Sequence, residues 1–280
     1  MTLNHTQPES LDPLLAFLAA RRLIDFGAYS PAMLRRRLQL RLRMLSLPDL
    51  SAYQAYLGEH PEEIDRLLEV LSITVSHFFR NGLPFALLRE RIIPALIAAA
   101  GSEGVRIWCA GCGQGEEAYS LAILVYDYCQ QEGISPPVMI LATDIDREAV
   151  RRAQRGWYRA EALDEVGKRF LDRYFTVDGD GYQLAAAVRA LVTFAHHDLT
   201  CGTAPQAGIF SDYQLICCRN VLIYFKRERG SLVQQQLAAQ LRPGGWLVLG
   251  EAETIAPALG DSLGEVAPGS HIFRKEGSHD

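Results

Sequence analysis

Apolar positions recur at helical spacing through the first eighty residues. Leu11, Leu14, Leu15 and Leu18 share one face of a helix over about 10–24. Ser30-Pro31 is a cap followed by proline at the first helical position. It opens a helix over 31–45 with Met33, Leu34, Leu38, Leu42 and Leu45 inward and a row of arginines on the other face. Leu47-Pro48-Asp49 breaks the chain, a third helix covers 49–58, and Gly58 stops it. His60-Pro61-Glu62-Glu63 begins a fourth, with acids in its first turn as the helix dipole favours and Ile64, Leu67, Leu68 and Leu71 as its apolar stripe. No strand pattern interrupts these helices, so residues 1–82 read as an all-α domain.

The pattern then changes. Residues 72–82, SITVSHFFRNG, are β-branched and aromatic and stop at Asn81-Gly82; Arg80 follows two phenylalanines, at the edge of an apolar wall. Residues 84–100 predict a connecting helix kinked at Pro94. Short apolar runs follow in alternation with helical stretches: VRIWCA (105–110), a helix over 115–131, VMILAT (138–143), a helix over 147–154 capped by Asp146, and a helical stretch at 163–173. Asp178-Gly179-Asp180-Gly181 is a tight turn, and Tyr182 to Ala195 reads as two short strands around Arg189, a small antiparallel appendage over about 174–197. YQLICC (213–218), a helix over 228–240, a turn at 241–245, a strand at 246–249 and a last strand at 271–274 complete residues 83–280 as a second, α/β domain.

Between VRIWCA and its helix lies a glycine turn, with Gly111, Gly113 and Gly115 at alternate positions. Strand, glycine turn and helix form the entry unit of a nucleotide-binding α/β sheet. Glu116 and Glu117 stand where the helix begins. Two acids there repel a phosphate and suit a cationic group, so a ligand with an adenosine part and an amine or sulfonium fits better than a dinucleotide. S-adenosylmethionine has those features. The G-x-G-x-G spacing also departs from the dinucleotide pattern. Asp144 closes the second strand, placed to accept hydrogen bonds from ribose hydroxyls. Asp198, at another strand end, can take an adenine amino group, and Arg219-Asn220 lie at the carboxyl end of the strand YQLICC, where polar groups line the ligand crevice.

Composition changes this picture little. With 280 residues, 49% hydrophobic and 22% charged, the chain is ordinary for a globular protein, and a net charge of -5 argues against general nucleic-acid binding. The charge is uneven: residues 1–45 carry seven Arg against three acids, +4 on a remainder of -9. The arginine face of the second helix, with Arg35, Arg36, Arg37 and Arg41, is either a solvated surface or a docking face for an acidic partner. No apolar run reaches the roughly 18 residues of a membrane span, and the polar start MTLNHTQPES lacks a secretory core. Cys109-x-x-Cys112 has no second pair at zinc-ribbon spacing, and His196-His197 no third ligand at suitable spacing, so no metal is expected.

Five stretches, SITVSHFFRN, RIWCAGCGQGEEAYSLAI, LATDID, CCRNVLIYF and LRPGGWLVLGEAE, together resemble the chemotaxis-receptor glutamate methyltransferases, the CheR family, in order and over nearly the whole chain. LRPGGWLVLG is common to many class I methyltransferases; FFR with RNVLIYF is more specific. The resemblance implies an all-α domain followed by a Rossmann-like class I methyltransferase domain with a small antiparallel β appendage. It implies methyl transfer from S-adenosylmethionine, leaving S-adenosylhomocysteine, to glutamate side chains on a receptor's cytoplasmic helices. By the resemblance Thr74, Ser76 and Arg80 contribute to the cofactor site, Glu117 holds the methionine amine, Asp144 the ribose, Asp198 and Leu199 flank the adenine, and Arg219 and Asn220 line the pocket beside the Gly111 turn. Tyr224 faces the substrate, and Arg80 and Tyr224 are the candidates for orienting the acceptor carboxylate. The chain has Thr74 and Ser76 where the family often has Asn and Thr. The short DGDG loop speaks against gripping a receptor tether, and no C-terminal helical repeats are expected. A cytoplasmic monomer without membrane insertion follows. The rival readings are a class I methyltransferase for a small molecule or nucleobase, which needs neither the arginine helix nor FFR, and a cofactor-binding signalling adaptor.

Overall fold

In a computed structural model of the chain, which describes residues 10–22, 26–71, 76–206 and 212–277, the local signals above become four N-terminal helices. α1 is Asp12–Arg22, α2 Pro31–Leu45, α3 Leu50–Glu59 and α4 Glu63–Leu71. Pro31 begins α2 and the left-handed Ser46 ends it, its N–H turned back to Arg43 O. Asp49 caps α3 by accepting from Ala52 N–H. Leu14, Leu18, Phe26, Leu34, Leu38, Tyr53, Leu57, Ile64 and Leu67 are all buried and form the apolar interior of this unit.

The chain divides into two compact units, Met1–Ile73 with Tyr224–Lys226, and Thr74–Ile223 with Arg227–Asp280. The segment HFFRN therefore belongs to the second unit, not to the helical domain that the sequence reading ends at 82. Tyr224–Lys226 join the first unit as one antiparallel step beside Tyr29: Ser30 N–H donates to Tyr224 O at 2.8 Å and Lys226 N–H to Ala28 O at 2.8 Å.

The second unit opens with α5 (Leu83–Leu87), a π-helical turn (Leu88–Ile92) and α6 (Ile93–Ala98). The kink expected at Pro94 is thus absorbed one turn earlier, as a widened turn that removes the clash of a proline ring with the preceding carbonyls. Next come β1 (Val105–Ala110), α7 (Glu116–Glu132), β2 (Val138–Asp144), α8 (Arg147–Arg155), β3 (Trp157–Tyr158), α9 (Lys168–Tyr174), β4 (Phe175–Asp178), β5 (Gly181–Leu184), α10 (Ala186–Arg189) and β6 (Val192–His196). β7 (Tyr213–Cys218), α11 (Arg227–Gln240), β8 (Leu241–Leu249), β9 (Leu263–Glu265) and β10 (Ile272–Lys275) follow. The main sheet has the order β6-β2-β1-β7-β8-β10-β9. β6 through β8 are parallel, and β10 and β9 run antiparallel at the edge. β1 pairs with β2 on one side and β7 on the other, so the order reverses there, and in open α/β sheets the carboxyl ends of the strands at such a reversal are where a ligand crevice lies.

Residues 182–195 correct the expected appendage. They form β5, the helical turn α10 and β6, and β6 leaves the appendage to pair in parallel with β2, Ile140 opposite Val192 through Asp144 opposite His196. Three alanines ahead of Arg189 favour the helical turn, and Arg189 turns back onto Leu184 O. The small sheet is β3-β5-β4 instead, with Trp157 lying over Gly181, where a Cβ would meet the ring at 2.4 Å. Residues 241–245, expected as a turn, continue β8 past an irregularity against Tyr213 and Leu215. Among the described residues no helix is long and apolar enough to cross a membrane.

Candidate functional site

The carboxyl ends of β1, β2 and β7 bring together most of the residues singled out in the second unit. The glycine turn is built on left-handed backbone: Gly111, Gly113 and Gly115 have φ of +79°, +54° and +94°. Close approach adds a second reason for glycine. A Cβ on Gly111 would lie 2.3 Å from Val221 Cγ2, and one on Gly115 would crowd Ala153, Tyr158 and Phe194. Gly111 and Cys112 N–H both donate to Thr143 O, tying the turn to the end of β2.

Asp144 is 9% exposed. Its Oδ2 accepts from Gly113 N–H at 2.8 Å and its Oδ1 from Asp146 N–H at 2.9 Å. Burial pushes this carboxyl above its ordinary range, with the backbone N–H groups opposing. Each oxygen keeps a further lone pair, so the group can still receive ribose hydroxyls.

The two glutamates that open α7 part company. Successive helical residues point about 100° apart, and Glu116 turns inward while Glu117 faces the crevice. Glu116 is 4% exposed, its Oε2 has no partner, and burial raises its pKa to about 8. Glu116 therefore does not add to the negative field expected at this helix start. Glu117 Oε2 accepts from Arg219 Nη1 at 2.9 Å, and its Oε1 lies 3.4 Å from Cys109 Sγ. Arg219 is buried, donates Nη2 to Arg80 O at 2.9 Å and stacks over Phe85 at 5.2 Å, and its Nε is left without a partner. A carboxylate with open lone pairs beside a guanidinium with an orphan donor suits a zwitterionic amino-acid end, the amine on Glu117 and the carboxylate on Arg219. The residues present thus fit the methionine part of S-adenosylmethionine.

HFFRN is seated on α7. Phe79 N–H donates to Ser120 Oγ at 2.9 Å, and Ser120 donates to Glu116 O at 2.6 Å. Phe78 packs edge-on against Tyr158 and Phe175, and Phe79 packs edge-on against Phe85 and stacks on Phe170. Arg80, between these anchors and the left-handed Asn81, is half-buried. Ser76 is also half-buried, and Thr74 lies outside the described residues. Asp198 Oδ1 accepts from Thr200 N–H and Oγ1, a local turn that leaves its other oxygen available. Leu199 lines a cavity of about 180 Å³ with Trp108 and His197. Asn220 has a left-handed φ of +59°.

Tyr224 belongs to the helical unit, as do the arginines of α2. There Arg36 is exposed and Arg35 and Arg37 half-buried, but Arg41 is not on the exposed face. It is 7% exposed and forms a two-pronged pair with Glu63, which also accepts from Tyr53 Oη at 3.0 Å. A charge buried this deeply requires such partners.

One residue enters the sequence pattern only as the last of the stretch LRPGGWLVLGEAE, which assigns it no role. Glu253, 4% exposed, accepts backbone N–H groups from Asn220, Val221, Leu222 and Gly250.

Residues 74–265 match the family model described as CheR methyltransferase, SAM binding domain, and residues 9–72 the model described as CheR methyltransferase, all-alpha domain. A putative methyltransferase Cher3 of Pseudomonas putida is 33% identical over 260 residues, covering 90% of this chain and 91% of that protein. A chemotaxis protein methyltransferase of Listeria innocua is 30% identical, covering 83% of this chain and 85% of that protein. A 104.1 kDa protein of Rhodobacter capsulatus is 32% identical over 254 residues, which are 90% of this chain and 26% of that longer protein.

Proposed function

The chain belongs to the CheR methyltransferase family, and from that premise we propose that it esterifies glutamate side chains on the cytoplasmic helices of a chemoreceptor. Its chemistry is S-adenosylmethionine-dependent methyl transfer in chemotaxis adaptation. The observation that carries the cofactor reading is the Glu117–Arg219 pair with its orphan Nε, placed at the β1/β7 reversal.

The cofactor supplies a methyl group on a sulfonium. An acceptor glutamate, with an ordinary pKa of about 4.3, is already a nucleophile at neutral pH, so the protein needs no general base. Charge is lost as carboxylate meets sulfonium, and the residues serve by fixing geometry and excluding water. Glu117 and Arg219 hold the amino-acid end, Asp144 the ribose, and Asp198 and Leu199 the adenine, with Ser76, Gly111 and Asn220 completing the wall and Thr74 joining it by resemblance. Arg80, held by anchors on both sides, orients the acceptor carboxylate. Tyr224 and the exposed arginines of α2 contact the acceptor protein from the helical unit.

The test is transfer of a labelled methyl group to a glutamate-rich receptor fragment, followed by mild base. Label released as methanol supports the ester; label that survives base, or transfer only to small molecules or nucleobases, overturns glutamate as the acceptor.

A further inference from the structure

Glu253 lies beyond β8 and carries no part of the reaction described above. Its Oε1 accepts from Val221 N–H at 2.8 Å and Leu222 N–H at 2.7 Å, and its Oε2 from Asn220 N–H at 3.1 Å and Gly250 N–H at 2.5 Å. An ionised carboxylate has four acceptor sites, and here four main-chain donors meet it. The segment it holds is one the crevice depends on. Asn220 sits at φ +59°, in the left-handed region that asparagine enters more readily than most residues with side chains. Val221 Cγ2 rests on Gly111, leaving no room for a Cβ there. A Cβ on Gly250 would lie 2.7 Å from both Asn220 N and Glu253 Oε2, so the strand end is cut to fit the same junction.

We propose that Glu253 is a positioning residue for the cofactor crevice: it fixes the backbone of Asn220–Leu222 and, through Val221, seats the glycine turn, so that cofactor affinity depends on a carboxylate buried beneath the site. Glutamine cannot replace it, because one amide nitrogen would aim a donor at two donors.

Glu253→Gln is expected to raise the Kd for S-adenosylhomocysteine ten-fold or more by calorimetry and to raise KM for S-adenosylmethionine with little change in KM for the acceptor. Val221→Ala should also weaken binding, and the double variant should lose less than the product of the two single effects, since both act through one contact. A Kd within two-fold of the unaltered protein in Glu253→Gln, or independent effects in the double variant, overturns the proposal. Should Glu253→Gln not fold, amide exchange in the unaltered protein decides: the Asn220, Val221, Leu222 and Gly250 amides should gain protection on adding S-adenosylhomocysteine, and unchanged protection overturns it. The inference rests on the cofactor reading of this crevice. Failure of that reading would appear as no binding by the unaltered protein, whereas failure of this one leaves that binding intact.

Discussion

Glu116 and Glu117 are adjacent, identical in type, and opposite in consequence. Glu116 is a buried carboxyl with an unpartnered oxygen and a pKa of about 8, against about 4.3 when the chain is unfolded. The folded protein therefore binds the extra proton between those values. Stability should fall as pH rises through that window, by up to ~1.4 kcal/mol per pH unit, and level off above 8. Glu116→Gln should remove that slope and be the more stable protein at pH 9; equal slopes in urea titrations from pH 5 to 9 would refute the assignment. Asp144 and Glu253 shift in the same direction, so the difference between the two proteins isolates Glu116. Glu117→Ala and Asp144→Ala should instead weaken S-adenosylhomocysteine binding by ten-fold or more, since hydrogen bonds to charged groups contribute about 1.5–3 kcal/mol. Arg80→Ala should lose most methyl transfer while remaining folded, read as kcat beside an unchanged circular dichroism spectrum. None of this separation between the two glutamates is visible in the string EE, because the inward or outward sense of a helix's first residues is set by the sheet beneath it.

At the scale of elements, anchors decide where HFFRN sits. Phe79 and Asn81 both have positive φ, 58° and 61°, an uncommon conformation for residues with side chains. The Ser120 hydroxyl holds Phe79 N–H. Ser120→Ala leaves that buried donor unpaired and should cost about 1–3 kcal/mol, together with a loss of activity beyond the loss of stability; a variant as active and as stable as the parent would show the anchor to be dispensable. In the helical unit, Glu63 plays the comparable part. Breaking a buried pair by removing one partner costs about 3–5 kcal/mol, so Glu63→Gln should sharply lower the unit's unfolding midpoint. The sequence made most elements legible: α2 was bounded by Ser30-Pro31 and the first parallel strands by their apolar runs. It misplaced those whose identity depends on partners. β6 reads as half of a hairpin until its register with β2 is known, and the three-residue β9 exists only because β10 offers it an edge. Of the site, the glycine turn and Asp144 were legible from local pattern, and Arg80 and Glu117 from resemblance. Glu253 ends the stretch LRPGGWLVLGEAE, but its role was not legible, because receiving main-chain donors is something no residue type advertises.

Across the whole molecule the charge is lopsided, +4 over residues 1–45 and -9 over the rest. The burial of Arg41 lowers what α2 can present, since its charge is spent inside on Glu63. The exposed Arg36, with the half-buried Arg35 and Arg37, remains as the outward basic face of that helix. A glutamate-rich receptor helix bundle is an acidic target, and a basic face meeting it accelerates encounter more than it deepens affinity. Both effects weaken with salt, since screening lengths near 8–10 Å at 0.1–0.15 M shorten as salt is added. Reversing Arg36 and Arg37 to glutamate should therefore slow association with a receptor fragment by ten-fold or more at low salt and flatten its salt dependence. Reversal of Arg41 would instead destabilise the helical unit and is the wrong probe. Cofactor affinity should not change in the double reversal, because Glu117, Arg219 and Asp144 lie in the other compact unit. Association rates by surface plasmon resonance at two ionic strengths, with S-adenosylhomocysteine calorimetry alongside, separate the outcomes. An unchanged rate and salt slope would leave α2 a solvated surface and move the search for the docking face elsewhere.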